Sequence, residues 1–451
     1  MAFPNHEKPL PAELDPNLSP VGADSLRILK NMRNLLLAVA VMVLPVTVMA
    51  YPLDGYEDTG IRRVEGTRLA NLGLAIGGFQ PPGAMLTTAE VDLRLLNRNI
   101  ALPAADPGFT AQIEALLGED KDLYGIAVLD LSDPDHPRYA EHRGDYRQNV
   151  GSVGKLLVAL GLFQALADTW PDDLGRRQAI LRDTIMTADD FANSDHHVVR
   201  MFDVGTKFLT RRKIAVGDQA SLWEYLDWMM SVSSNSAASM VMRDAMLLRR
   251  FGKDYPLQEE LIRAFFASTP SAELTRLFQQ TFWAPVTRNG LPLEQLRQGS
   301  FFTRQGKVHV SGGGNSYANA RTLMEFLLKM EEGLLVDPWS SRELKRLMYM
   351  TERRIRYASS PELNDAAVYF KSGSLYKCRQ EEGFKCSAYH GNVMNYMNSV
   401  VIIEQEIDTV KLQYMVVVLS NVLKKNSADV HQQLGAGIHQ LIKAKNAAGT
   451  P

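Results

Sequence analysis

Ser152-Val153-Gly154-Lys155 places a hydroxyl and an amine three residues apart, and residues at that spacing share one face of a helix. The run that follows, KLLVALGLFQALA, is apolar nearly all round and reads as a buried helix. Ser152 then falls at its start, where unpaired backbone N–H groups and the positive end of the helix dipole collect. That position favours an oxygen that must become an anion. Burial disfavours an ammonium ion, so Lys155 is expected to have a lowered pKa and to offer a neutral amine. The chemistry this pair can do is nucleophilic attack by Ser152 with Lys155 as its base.

Ser-x-x-Lys on its own is commonplace: a chain this long holds on the order of one or two by chance, and Ser374-Leu375-Tyr376-Lys377 is a second. Two other readings of the tetrad fail on detail. A phosphate-binding loop needs glycine where Asn149 stands and Ser or Thr where Leu156 stands. A nucleophile elbow needs glycine at Val150.

The elements that must position this pair follow from periodicity. GFTAQIEALLG reads as a helix closing at Gly118, and Tyr124 to Ser132 as a strand, followed by an irregular segment up to Ser152. From about residue 170 to 350 the pattern is mostly helical, through SLWEYLDWMMS, SAASMVMRDAMLL, LQEELIRAFF, RTLMEFLLKMEEG and SRELKRLMYM. AAVYFKSGSLY, MNSVVIIEQ and LQYMVVVLSNV then read as three strands, and ADVHQQLGAGIHQLIKA as a last helix. Strands at both ends around a helical middle predict an α+β fold, with an antiparallel sheet made from the two ends of the chain.

Two further motifs keep Ser152 company. Ser233-Ser234-Asn235 lies between two predicted helices, and Lys371-Ser372-Gly373 ends a strand-like alternation. Ser-x-x-Lys, Ser-x-Asn and Lys-Ser-Gly in this order resemble the class A β-lactamases and the penicillin-recognising serine enzymes related to them. The resemblance spans roughly Pro107 to Ala444. It implies a sheet of about five antiparallel strands flanked by helices, plus a helical subdomain, with the site between them. It implies that Ser152 is acylated, that Lys155 takes its proton and that Ser233 relays a proton to the leaving nitrogen. Asn235 would hydrogen-bond the substrate's side-chain amide, Lys371 and Ser372 would hold its carboxylate, and Gly373 would let it lie against the strand. The backbone N–H groups of Ser152 and Ser374 would form the oxyanion hole.

The chain departs from the family pattern in two places, and a third motif is set aside. No Glu-x-x-Leu-Asn loop, whose glutamate activates the deacylating water in class A enzymes, is visible; Glu294 and Glu362 are the nearest candidates and fit poorly. Ser234 stands where aspartate is usual, which removes a structural anchor. Tyr317-Ala318-Asn319, beside the Gly-rich Ser311-Gly312-Gly313-Gly314, reads as a structural turn. The expected function is therefore a serine hydrolase acting on β-lactam or related amide bonds. A D-alanyl-D-alanine peptidase or a β-lactam or peptidoglycan sensor without turnover would share the motifs.

The chain has 451 residues, 45% hydrophobic and 22% charged, with a formal net charge of -2. That length buries a full core, and the absence of a basic surplus argues against nucleic acid as a partner. ADDFANSDHH, holding Asp195, His196 and His197, lacks a metal-ligand spacing and is expected to be a solvated helix end; no metal or other cofactor is expected. Cys378 and Cys386 bound a polar stretch between two strands, where a disulfide can close the loop. Leu35 to Ala50 is the one apolar stretch that could enter a membrane, and Arg27, Lys30 and Arg33 precede it. The expected division is a segment 1–31 outside the export signal, a signal peptide or anchor at 32–50, an extension at 51–105 and the hydrolase domain at 106–446. The expected address is outside the cytoplasm, periplasmic or held at the inner membrane. A monomer is expected, with membrane contact only if the signal stays uncleaved and with a β-lactam or cell-wall peptide as substrate.

Overall fold

Strands rich in Val, Ile and Met send alternate side chains to opposite faces of a sheet, and here both faces are covered. The computed structural model of the protein describes residues 54–76, 80–349 and 354–447; the export signal expected at 32–50 lies outside the described residues. Five strands make the central sheet: β1 (Tyr124–Asp130), β2 (Arg138–His142), β3 (Ala367–Lys377), β4 (Met394–Ile407) and β5 (Val410–Asn421). Their order is β2-β1-β5-β4-β3 with every pair antiparallel, so the two ends of the chain do build one sheet. β3 lies at its edge.

On one face Ile126, Val128, Val401, Ile403, Val416 and Val418 pack with Phe109 and Ile113 of α2 (Pro107–Leu117). The C-terminal helix α7 (Ser427–Ala447) adds Leu434, Ile438 and Ile442 to the same cluster. Asp106 caps α2 by accepting from the Phe109 N–H at 2.9 Å, and the helix ends at Gly118 (φ +61°), the end expected from the sequence. The opposite face, with Leu129, Val400, Ile402, Val417 and Leu419, meets the helical subdomain. There α3 (Lys155–Thr169) is buried along its length from Lys155 to Leu166. By length and composition it could cross a membrane, yet 78% of its apolar window is buried inside the protein, so it is a core helix.

Around α3 pack α4 (Leu222–Ser231) and α5 (Asn235–Phe251), while α6 (Ala320–Glu331) lies against β1 and β5. Three pieces differ from the sequence expectation. β2 was read as irregular because RYAEH buries only Tyr139 and Ala140 fully, too few residues for a period-two signal. Two short antiparallel ribbons, Ile185–Thr187 with Gln219–Ser221 and Val199–Asp203 with Phe208–Arg212, interrupt the helical middle. Cys378 and Cys386 are joined in a disulfide, with Cα atoms 6.1 Å apart, in the loop between β3 and β4.

The third correction concerns residues 51–105. The described part of this stretch, expected to be an extension, instead packs into the same compact unit as the sheet and helices, with α1 (Arg62–Asn71) bound to α4. Arg63 grips Asp227 of α4 with two hydrogen bonds, Nε at 2.8 Å and Nη2 at 2.5 Å, and both side chains are buried. Beside it Arg62 donates from Nε to Glu224 at 2.9 Å. A buried pair left without one partner leaves an uncompensated charge. Arg63→Ala should therefore cost about 3–5 kcal/mol in chemical denaturation. Arg68→Ala, which breaks an exposed pair with Glu65, should cost less than about 1 kcal/mol. Equal losses in the two variants would show that the extension is not held by the Arg63–Asp227 pair.

Candidate active site

Ser152 lies in a 3-10 turn, Gly151–Gly154, that leads directly into α3. Side chains three residues apart eclipse in such a turn, and this brings Lys155 Nζ to 2.9 Å from Ser152 Oγ. The same spacing at Ser374 to Lys377 falls on a strand, where residues three apart point to opposite faces. That second tetrad brings no such pair together.

The remaining contacts of Lys155 define its protonation. Nζ donates to the Ser233 carbonyl at 2.7 Å and to Asn235 Oδ1 at 2.8 Å, and both of these groups accept only. A neutral amine has two hydrogens and one lone pair. With both hydrogens placed, the lone pair is left for the Ser152 hydroxyl. Lys155 is fully buried, and burial lowers its pKa to about 7, opposed by the charge of Asp195. The ring of Phe302 covers Nζ at 4.5 Å from its centre.

The motif that supplies these acceptors depends on backbone strain. Ser233 sits at φ +63°, an uncommon conformation for a residue with a Cβ, and it turns the carbonyl toward Lys155. Ser234 then caps α5, with Oγ accepting from the Ala237 N–H at 3.1 Å. The anchor thought missing at Ser234 is supplied from elsewhere. Asp195 Oδ2 accepts from Ser234 Oγ at 2.9 Å, the Asn235 N–H at 2.7 Å and the Ser236 N–H at 3.0 Å. Its side chain is nearly buried, so the expectation of a solvated helix end is corrected. His197 Nδ1 lies 2.6 Å from Asp195 Oδ1, and these bonds hold the Asp195 carboxyl well below the usual carboxylate range. Asp195, His196 and His197 do come within metal-ligating reach of one another. Asp195 Oδ2 is taken up by capping α5, and Oδ1 accepts from the His196 and His197 N–H groups at 2.8 and 3.2 Å.

β3 brings the third motif in from the other side. As an edge strand it has ladder groups that no strand pairs, and this edge lies along the Gly151–Gly154 turn. A Cβ at Gly373 would meet the Val150 carbonyl at 2.1 Å and the Ser152 nitrogen at 2.7 Å. Glycine is therefore needed for the strand to approach the nucleophile, a tighter requirement than room for a ligand. At Gly151 (φ +53°) a Cβ would lie 3.5 Å from the Ser374 nitrogen, so the Ser152 and Ser374 N–H groups gather at this contact.

Lys371 Nζ donates to Ser233 Oγ at 2.8 Å, and Ser233 Oγ is also 3.3 Å from Lys155 Nζ. Burial and the nearby charges of Lys155 and Arg356 push the Lys371 amine well below its ordinary range. Among the described residues no carboxylate hydrogen-bonds either lysine. Arg356 carried no sequence signal, having neither motif nor periodicity. It too sits at positive φ (+56°), and its guanidinium donates to Ser372 Oγ at 2.7 Å and Ser374 Oγ at 3.0 Å. The cleft thus gathers the Lys371 amine and the Arg356 guanidinium around Ser233, Ser372 and Ser374, a set of donors complementary to an anionic ligand.

The candidates for a deacylating carboxylate lie elsewhere. Glu294 is exposed and touches the rest through its carbonyl, which accepts from Arg147. Glu362 is exposed as well. Asn319 caps α6 by accepting from the Thr322 N–H at 2.8 Å, while Tyr317 and Ala318 pair in β-bridges, so this segment is structural but is bridged backbone rather than the turn expected. What the site can do is deprotonate Ser152, move a proton through Ser233 and hold a carboxylate at Lys371, Ser372 and Arg356.

A family model described as the beta-lactamase enzyme family matches residues 108–385, more than half of the chain. Among solved structures, one described as PBP-A is 14% identical, covers 76% of this chain and all of its own, and has a TM-score of 0.47. A beta-lactamase from Chitinophaga pinensis is 14% identical with 74% and 98% coverage and a TM-score of 0.47. A beta-lactamase from Sphaerobacter thermophilus is 11% identical with 74% and 98% coverage and a TM-score of 0.44. No curated protein matches the sequence significantly.

The Lys155 geometry predicts a pH profile. With its pKa lowered to about 7, the base form is the neutral amine, present above that pH. Acylation of Ser152 by an activated ester should fall about tenfold per pH unit below the Lys155 pKa and level off above it. A rate that stays flat from pH 5.5 to 9 would contradict Lys155 as the base.

Proposed function

Because the chain belongs to the beta-lactamase enzyme family, we propose that it is a serine hydrolase that opens a β-lactam or a related amide through an acyl-enzyme at Ser152. The observation that carries this reading is the placement of both Lys155 hydrogens on the Ser233 carbonyl and Asn235 Oδ1, with the lone pair left for Ser152. In the proposed reaction Lys155 takes the hydroxyl proton as Ser152 Oγ attacks the carbonyl carbon. The developing oxyanion is held by the N–H groups of Ser152 and Ser374. The proton then passes from Lys155 through Ser233 Oγ to the departing nitrogen, and the C–N bond breaks. Lys371, Ser372 and Arg356 hold a carboxylate next to that nitrogen. Asn235 has its oxygen engaged with Lys155, so its Nδ2 is the group that faces a substrate carbonyl.

Release of the acyl group has weaker support in the geometry. Phe302 covers one side of the Lys155 amine, and among the described residues no carboxylate hydrogen-bonds Lys155 or Ser152 to take the proton of a deacylating water. This favours the second reading, a D-alanyl-D-alanine peptidase that β-lactams acylate and leave slowly, over rapid β-lactam hydrolysis. Both substrates lie outside the cytoplasm, in keeping with Leu35 to Ala50 as an export signal.

Intact-mass measurement after mixing the full chain with penicillin tests the proposal. The wild type should gain one penicillin mass that persists over hours, and Ser152→Ala should gain none. Phe302→Glu, which sets a carboxylate beside Lys155, should shorten the adduct's lifetime at least tenfold. An unmodified wild type that also leaves penicillin and a D-Ala-D-Ala peptide intact would refute the hydrolase reading. An adduct retained in Ser152→Ala would refute the nucleophile.

A further inference from the structure

Just before the nucleophile, three stretches of backbone lie side by side. Gln148 and Ala318 exchange two hydrogen bonds at 3.1 Å, and Arg297 and Tyr317 exchange two at 2.9 and 3.0 Å. Gly313 donates its N–H to the Gly299 carbonyl at 2.9 Å, continuing the contact. A Cβ at Gly313 would meet the Trp283 ring at 2.0 Å, and one at Gly299 would meet the Gly314 carbonyl at 2.2 Å. The Gly-rich run at 311–314 therefore exists to let these segments close on one another. The result is a rigid platform with its side chains fixed by backbone pairing.

On this platform two cations share one ring. The Arg147 guanidinium lies 5.2 Å from the centre of Tyr317 and that of Arg297 lies 4.6 Å from it. Arg297 is also 4.9 Å from the ring of Trp283. Arg147 donates from Nη1 to the Glu294 carbonyl at 2.7 Å, and Arg297 from Nε to the Asn315 carbonyl at 3.2 Å. Each guanidinium has five N–H donors, so most remain open to a ligand. Among the described residues neither arginine is ion-paired to a carboxylate. The pattern elsewhere is different: Arg321 pairs with Glu141, Arg288 with Asp168 and Arg212 with Asp218. Arg147 is exposed and Arg297 and Tyr317 are half-buried, so the platform faces solvent. Two like charges held against one ring without a counter-ion repel, and an anion between them relieves that repulsion.

We propose that Arg147, Arg297 and Tyr317 form a second anion site, taking a carboxylate of an acidic peptide. A planar carboxylate matches two guanidinium forks, and the aromatic rings hold those forks flat. Arg147 precedes Ser152 by five residues, which places the platform within about 18 Å of the nucleophile along the chain. A peptide bound here can extend from the cleft, as a substrate with a second carboxylate would. The binding itself does not require Ser152 chemistry, so it stands or falls separately from the proposed hydrolase activity.

Calorimetric titration of the full chain with tetraglutamate tests this, with tetraglutamine and inorganic phosphate as the other arms. Tetraglutamate should bind and raise the melting temperature, and tetraglutamine should do neither. The double variant R147A/R297A should weaken binding at least tenfold, R147K/R297K should recover part of it, and K371A should leave it unchanged. Raising the salt should weaken it further. No protection of the wild type by tetraglutamate would reduce the platform to a loop staple and overturn the proposal. Equal binding of tetraglutamine, phosphate binding as tight as that of tetraglutamate, or loss of binding in K371A would overturn it as well.

Discussion

The rest of the site depends on how the Lys155 amine is hydrated, or rather on how little it is. An ammonium ion in a fully buried position would lack water and, here, any carboxylate in hydrogen-bonding contact to replace it. The neutral form has a complete set of partners: two acceptors for its hydrogens and a hydroxyl for its lone pair. Desolvation and hydrogen bonding therefore select the same protonation state, the one that the proposed attack by Ser152 requires.

Each part of the fold holds one of those partners in place. α3 is apolar on all sides, so it is pinned in the core and fixes Lys155 with it. α4 and α5 meet at the Ser233 loop, which α1 steadies from one end through Arg63 and Asp227 and which Asp195 steadies from the other. β3 closes the cleft because glycine at 373 lets an edge strand touch the nucleophile's turn. Phe302 seals the remaining side of Lys155 with carbon. A seal of that kind preserves the neutral amine and also keeps a hydrolytic base away, so in the proposed reaction fast acylation and slow release would share one cause.

What could be read from the sequence was what is local. The helix end at Gly118, the buried run after Lys155 and the strands from Ala367 to Asn421 each announce themselves by period or by cap. The three motifs were legible for the same reason, since each is a short run on a single element. Asp195, Phe302 and Arg356 were not. Each reaches the site from a distant segment, through a side-chain contact that leaves no period and no spacing. Asp195 looked like surface because its neighbours are polar, and only the fold shows that it caps α5. Arg356 shows itself by a strained backbone, which a sequence does not display.

The central claim is that Lys155 is a neutral amine near neutral pH, and its side-chain carbon can report this directly. The full chain with 13C-labelled lysine should show one Cε resonance, absent in Lys155→Arg, that titrates near pH 7. A Lys155 resonance that stays in its ammonium position up to pH 10 would contradict the account.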